Sequence, residues 1–167
     1  AGDDGTAGDD GAGDDGAGDI ILEACVGSYT VSSAADMDSI STCSSISGDL
    51  TINTELLDNV DDLVNLTSIG GTLSIKDTIA LTNIDGLSGL TTVGGPLSIE
   101  NNTSLSNLNG LSSLNTVSES LQIEIEDNLT LTNVDGLAGI MYTVDNISIT
   151  DNVSLFNVDG LSGITAI

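Results

Sequence analysis

The sequence predicts a mainly β fold, a short parallel β-solenoid, and three observations predict it. A Leu-x-Ile element recurs at Leu50-Thr-Ile52, Leu73-Ser-Ile75, Leu97-Ser-Ile99, Leu121-Gln-Ile123 and Ile147-Ser-Ile149, at spacings of 23, 24, 24 and 26 residues. A second marker runs in step with it: Asn59-Val-Asp-Asp-Leu63, Asn83-Ile-Asp-Gly-Leu87, Asn107-Leu-Asn-Gly-Leu111, Asn133-Val-Asp-Gly-Leu137 and Asn157-Val-Asp-Gly-Leu161. The core material is aliphatic, since 39% of the 167 residues are hydrophobic yet there is no Trp, one Phe and two Tyr. Alternation of apolar and polar residues makes Leu-x-Ile a short strand with one face inward. A repeat of this size cannot enclose its own apolar face, so turns stack at about 4.8 Å and bury one another.

Three regions follow along the chain. Residues 1–19 form a low-complexity acidic tail of Asp, Gly, Ala and one Thr. It has nothing to bury and is expected to be disordered by itself. Residues 20–48 form an N-terminal cap. In it, Cys25 to Val31 is strand-like, and Ser33 to Ile40 is expected to make one or two helical turns with Ser32 or Ser33 as N-cap. Residues 49–167 form a solenoid of about five repeats.

Within a repeat, the strand is followed by an Asn or Asp that turns the chain, expected at Asp77, Asn102, Asn128 and Asn152. An inward Leu comes next, then the Asn-x-Asp-Gly corner, where Gly is expected to accept positive φ. The fourth repeat carries two extra residues around Glu124-Ile125-Glu126, and the sequence places an outward bulge there.

Charge excludes several functions. The formal net charge is −25, with Lys76 the single Lys or Arg and no His. Nucleic acid as a partner needs cations on the protein and is ruled out. Anionic membranes and phosphorylated ligands are disfavoured for the same reason. The absence of His removes Ser-His-Asp and Cys-His chemistry. The carboxylate pairs Asp61/Asp62 and Glu124/Glu126 fall in a turn and on a strand's outer face, with no aromatic residue beside them to stack a sugar, so no enzyme is expected.

Two cysteines, Cys25 and Cys43, bracket part of the cap. They form either one disulfide, which implies an oxidising compartment, or two free thiols; zinc is disfavoured without His or further Cys. A secreted, extracellular or cell-surface location is expected. The chain starts at Ala1 without Met and shows no signal-peptide pattern or membrane span, so a processed or trimmed chain is expected. Six Asn-x-Ser/Thr tripeptides, at Asn65, Asn101, Asn102, Asn128, Asn146 and Asn152, permit N-glycosylation.

Cys25 and Cys43, then Ile46-Ser-Gly-Asp-Leu-Thr-Ile52, then the repeated Leu-x-Ile…Asn…Leu-x-Asn-x-Asp-Gly-Leu frame, resemble the receptor L domain family of the leucine-rich-repeat superfamily. The resemblance covers about residues 25–167. It implies a right-handed β-solenoid whose first turn is closed by a disulfide-linked segment. Such domains form ligand-binding ends of insulin- and epidermal-growth-factor-type receptors, and occur in fungal cell-wall and bacterial surface proteins. The tail has no counterpart in that pattern.

Three sets of side chains are candidates for chemistry. The structural ladder is Asn59, Asn83, Asn107, Asn133 and Asn157, whose amides are expected to bond up and down the stack. The acidic ladder is Asp85, Asp135 and Asp159, with Asn109 replacing Asp in the third copy. These aspartates either cap their own turns or are bridged by calcium. In the tail, Asp3, Asp4, Asp9, Asp10, Asp14, Asp15 and Asp19 recur between glycines. They make either a solvated spacer or calcium ligands, so calcium is the one cofactor considered.

Two functions compete. One is a self-assembling filament or surface-layer subunit, a homopolymer stacking end to end through an uncapped last coil, with the tail lying across the joint. The other is a ligand-binding or adhesive cell-surface module that uses the flat β face.

Overall fold

The computed structural model describes residues 21–117, 121–141 and 145–164. The expected tail lies outside the described residues, and with it the seven aspartates Asp3 to Asp19 considered as calcium ligands.

Two parallel sheets carry the fold. The larger contains β2 (Tyr29–Val31), β4 (Leu50–Ile52), β6 (Leu73–Lys76), β8 (Leu97–Glu100), β10 (Gln122–Glu126) and β11 (Asn146–Thr150), side by side in that order. The smaller contains β1 (Glu23–Cys25), β3 (Cys43–Ile46), β5 (Ser68–Ile69), β7 (Thr92–Val93) and β9 (Thr116–Val117). Among the described residues the strands alternate between the two sheets from β1 to β10, β11 adds a sixth strand to the larger sheet, and neighbours in a sheet come from successive coils. The solenoid expected from the repeats is therefore the architecture found.

Alternation explains the larger sheet. Leu50 and Ile52 pair with Leu73 and Ile75, which pair with Leu97 and Ile99. All six side chains are fully buried. The residues between them, Thr51, Ser74 and Ser98, point the other way and stay partly exposed. Leu81, Leu105 and Leu131, then Ile84, Leu108 and Val134, fill the interior from the opposite side. Burial of a Leu or Ile contributes about 1.5–3 kcal/mol, so columns of such residues supply the main stabilising term.

Polar ladders join the coils on the outside. Thr67 Oγ1 donates to Ser44 O at 2.8 Å, and Thr91 Oγ1 to Thr67 O at 3.1 Å. Thr82, Ser106 and Thr132 hydroxyls donate in the same way to Asp58 O, Thr82 O and Ser106 O. Among the described residues no buried side-chain nitrogen or oxygen lacks a hydrogen-bond partner.

The fourth coil differs from expectation. Ile123 and Ile125, not Leu121 and Ile123, lie opposite Leu97 and Ile99 and again opposite Ile147 and Ile149. The coil steps are therefore 23, 24, 26 and 24 residues. β10 runs unbroken through Glu124-Ile125-Glu126 with no bulge. The two extra residues fall before it, between Val117 and Ile123. A one-residue slip would turn the isoleucines outward, so burial keeps the strand in register and the return absorbs the length.

The turn falls at Asp77 after β6, as expected, and one residue earlier than expected after β8, β10 and β11. Asp77, Asn101, Asp127 and Asp151 take left-handed backbone, with φ of 54°, 53°, 53° and 55°. Asp and Asn are the non-glycine residues that tolerate this best. Asn102, Asn128 and Asn152, expected as turn residues, sit one position later and turn into the stack.

The glycine corner works by close approach rather than by positive φ. Gly86, Gly110, Gly136 and Gly160 lie in one-turn 3-10 helices at Asp85–Leu87, Asn109–Leu111, Asp135–Leu137 and Asp159–Leu161. Among the described residues Gly27 alone of the glycines has positive φ. A Cβ at Gly86 would fall on Val60 O, at Gly110 on Ile84 O, at Gly136 on Leu108 O and at Gly160 on Val134 O. The first coil has Asp62 here, where no 3-10 turn packs beneath it.

The cap closes the first coil. Gly27, with φ of 109°, separates β1 from β2. α1 (Ala34–Asp38) starts at Ser33, whose Oγ accepts from Asp36 N at 3.3 Å. Met37 and Ile40 are buried against the stack. The Cys25–Cys43 disulfide forms, with Cα atoms 5.6 Å apart, and ties β1 to β3.

Candidate functional site

The side chains of the larger sheet that point away from the core make an ordered outer face. One row crosses six strands: Thr30, Thr51, Ser74, Ser98, Glu124 and Ser148 stand opposite one another in turn. A second row runs Lys76, Glu100, Glu126 and Thr150. Gln122 and Asn146 form the start of a third. Strand pairing at about 4.8 Å fixes these rows, so their relative positions follow from the backbone and not from flexible loops.

Hydrogen bonds order the carboxylates. Ser98 Oγ donates to Glu100 Oε1, and Ser148 Oγ donates to Glu126 Oε1 at 3.0 Å. The left-handed turn column borders the face. There, Asn53 Nδ2 donates to Asp77 Oδ2 at 3.4 Å, and Asn101 Nδ2 donates to Asp77 Oδ1 at 2.8 Å. Asp77 is thus held between two carboxamides, whereas Asp127 and Asp151 stand exposed in successive coils.

The result is a polarised face. Lys76 lies beside Glu100 on one flank, and Glu124, Glu126, Asp127 and Asp151 crowd the other. Glu124 and Glu126 share this face as expected from the sequence, whereas Asp61 and Asp62 lie apart in the 3-10 turn Asp61–Leu63. Among the described residues no three His, Cys, Asp or Glu side chains group to hold a metal ion.

The other sequence-selected residues have structural positions. Asn59, Asn83, Asn107, Asn133 and Asn157 each stand two residues before a 3-10 turn. Their Oδ1 atoms accept from the N–H of Asp61, Asp85, Asn109, Asp135 and Asp159 at 2.7 to 3.1 Å. The amides of Asn83, Asn107 and Asn133 then donate to the adjacent hydroxyls of Thr82, Ser106 and Thr132. Only Asn157 reaches the previous coil, donating to Asp135 Oδ1 at 3.1 Å. The column is present, but local Asx-type bonds take the oxygens expected to bond along it. Asp85, Asp135 and Asp159 are exposed at the same corner.

Bonding from coil to coil falls to Thr78 and to Asn102, Asn128 and Asn152, the last three of them expected as turn residues. Thr78 Oγ1 donates to Asn102 Oδ1 at 2.7 Å, Asn102 Nδ2 to Asn128 Oδ1 at 3.0 Å, and Asn128 Nδ2 to Asn152 Oδ1 at 3.0 Å. The signal was available: Asn stands three residues after the second strand isoleucine at Ile99, Ile125 and Ile149, and Thr78 three residues after Ile75.

Residues 42–155 match the family model described as the receptor L domain. No curated protein matches the chain.

Proposed function

The chain belongs to the receptor L domain family, and from that membership we propose that its outer sheet face is a docking surface for a cationic protein or peptide. The family is one of cell-surface ligand-binding modules, and the disulfide agrees with an extracellular or cell-surface setting. No described helix is long and apolar enough to cross a membrane.

The observation that carries the ligand class is the row Lys76, Glu100, Glu126 with Glu124 beside it, on a chain of net charge −25. Rigid strands hold carboxylates at fixed spacing, which favours a partner with cations at matching intervals. Charge of one sign raises the association rate and rejects polyanions. The hydroxyls of Thr51, Ser74 and Ser98 supply the polar remainder of a wet interface.

The test is titration of the secreted chain with a lysine-rich peptide at two salt concentrations. Binding that weakens with salt, and weakens further when Glu100, Glu124 and Glu126 are changed together to Gln, supports the reading. A chain starting at residue 20 serves as control. Binding that vanishes with the tail but survives the triple change would sink it.

The filament or surface-layer expectation rested on the tail crossing a joint between copies and on an open last coil. The tail lies outside the described residues, and α1 closes the first coil, so a second copy would have to pack against the cap rather than continue the strands.

A further inference from the structure

Six Asn-x-Ser/Thr tripeptides occur in the sequence, and the structure sorts their asparagines. Asn102 and Asn128 are fully buried in the carboxamide ladder. Asn152 is half-buried, and its Nδ2 donates to Ile125 O at 2.7 Å and to Thr150 O at 2.9 Å. Asn65 is half-buried, with Nδ2 on Ser41 O at 3.1 Å. Asn101 is exposed, but it occupies a left-handed turn and its Nδ2 is held by Asp77 at 2.8 Å. Asn146 is exposed at the start of β11, and its carboxamide makes no hydrogen bond in the described structure.

We propose that Asn146 is the N-glycan acceptor of this domain. The donor class is an oligosaccharide carried on a polyprenyl diphosphate, delivered by the transferase of a glycosylating secretory route. Asn146 Nδ2 attacks the anomeric carbon. The N–C bond forms as the bond from that carbon to the diphosphate oxygen breaks. The lipid diphosphate leaves, and the amide gives one proton to the transferase's base. Ser148 supplies the hydroxyl that the acceptor motif requires.

Transfer acts on the extending chain, so burial selects afterwards. A glycan on Asn102 or Asn128 would have to enter a packed core, and such chains do not reach the folded state. A glycan on Asn146 projects from the outer face beside Gln122. β11 pairs only with β10 among the described residues, and its sequence, Asn-Ile-Ser-Ile-Thr, carries no charge to deter pairing with another chain. A bulky sugar there blocks such pairing.

The experiment is secretion of the full chain from a eukaryotic host, followed by enzymatic glycan release in heavy-oxygen water and peptide mapping. The expected result is occupancy at Asn146 and at no other of the six sites. Asn146→Gln and, independently, Ser148→Ala each remove the glycan; Ser148→Thr retains it. Ser148→Ala keeps the test alive should Asn146→Gln not be secreted. Folded, secreted protein with Asn146 bare overturns the proposal, as does a glycan on Asn102 or Asn128.

Discussion

Asn102 Nδ2 donates to Asn128 Oδ1 at 3.0 Å, and both side chains are fully buried between coils. Asn128 also accepts from Asn102 N at 3.2 Å and donates to Ile99 O at 2.8 Å and Asn152 Oδ1 at 3.0 Å. Asn128→Ala strands several of these groups without water. The expected loss is about 2–3 kcal/mol, seen as a lower urea midpoint. Asn128→Asp is expected to cost more, because a carboxylate would face the Ile99 and Asn152 oxygens.

Gly110 has its own test. Gly110→Ala puts a methyl group on Ile84 O, a backbone atom that cannot rotate away. Destabilisation of about 2–3 kcal/mol is expected, at the upper end of overpacking changes. Asp62→Gly, at the same place in the first coil, should change little. Equal effects at both positions would remove close approach as the explanation.

The cap depends on its covalent tie. Replacing Cys25 and Cys43 by Ala is expected to cost about 2–4 kcal/mol, the usual range for a native disulfide. Amide exchange should quicken first at Tyr29–Val31, which packs against α1.

Acid should weaken the α1 start. Hydrogen bonds from Ser32, then from Ser33, hold the Asp36 carboxyl below its ordinary value of 3.8. A depressed folded value means that the contribution is complete above 3.8 and is lost as pH falls through the lower folded value. The stability gap between the native chain and Asp36→Asn should therefore stay level above that pH and shrink below it, measured by urea midpoints across an acid series. A gap that widens on acidification would contradict the assignment.

Salt should stabilise the whole chain. With a net charge of −25 and one lysine, carboxylates repel across coils. Raising ionic strength from about 0.01 to 0.15 M shortens the screening length from about 30 to 8 Å. The thermal midpoint is expected to rise over that range; a fall would mean that attractive pairs dominate.

Much of this fold was legible because period-two alternation and a recurring marker constrain the chain together. Leu50, Leu73 and Leu97 aligned correctly from sequence alone, and the cap helix starts at Ser33, one of the two N-caps expected. What was not legible depends on register at single-residue resolution. Leu121 resembles Leu97 but stands directly before β10, and only burial of Ile123 and Ile125 decides the pairing. Likewise Asn101 and Asn102 are chemically identical, and the backbone assigns one to a left-handed turn and the other to the interior. The outer face was anticipated as a place, but the meeting of Lys76 with Glu100 required strand pairing to be known.

Each coil's ladder bonds reach only the adjacent coils, which has a mechanical consequence. Tension applied to the two ends should peel the stack one turn at a time instead of rupturing a single centre. Each release frees some two dozen residues, a contour gain of about 8 nm at full extension. A pulling trace with regular teeth of that spacing is the expected record, and the protein would act as a stepwise shock absorber wherever it is tethered.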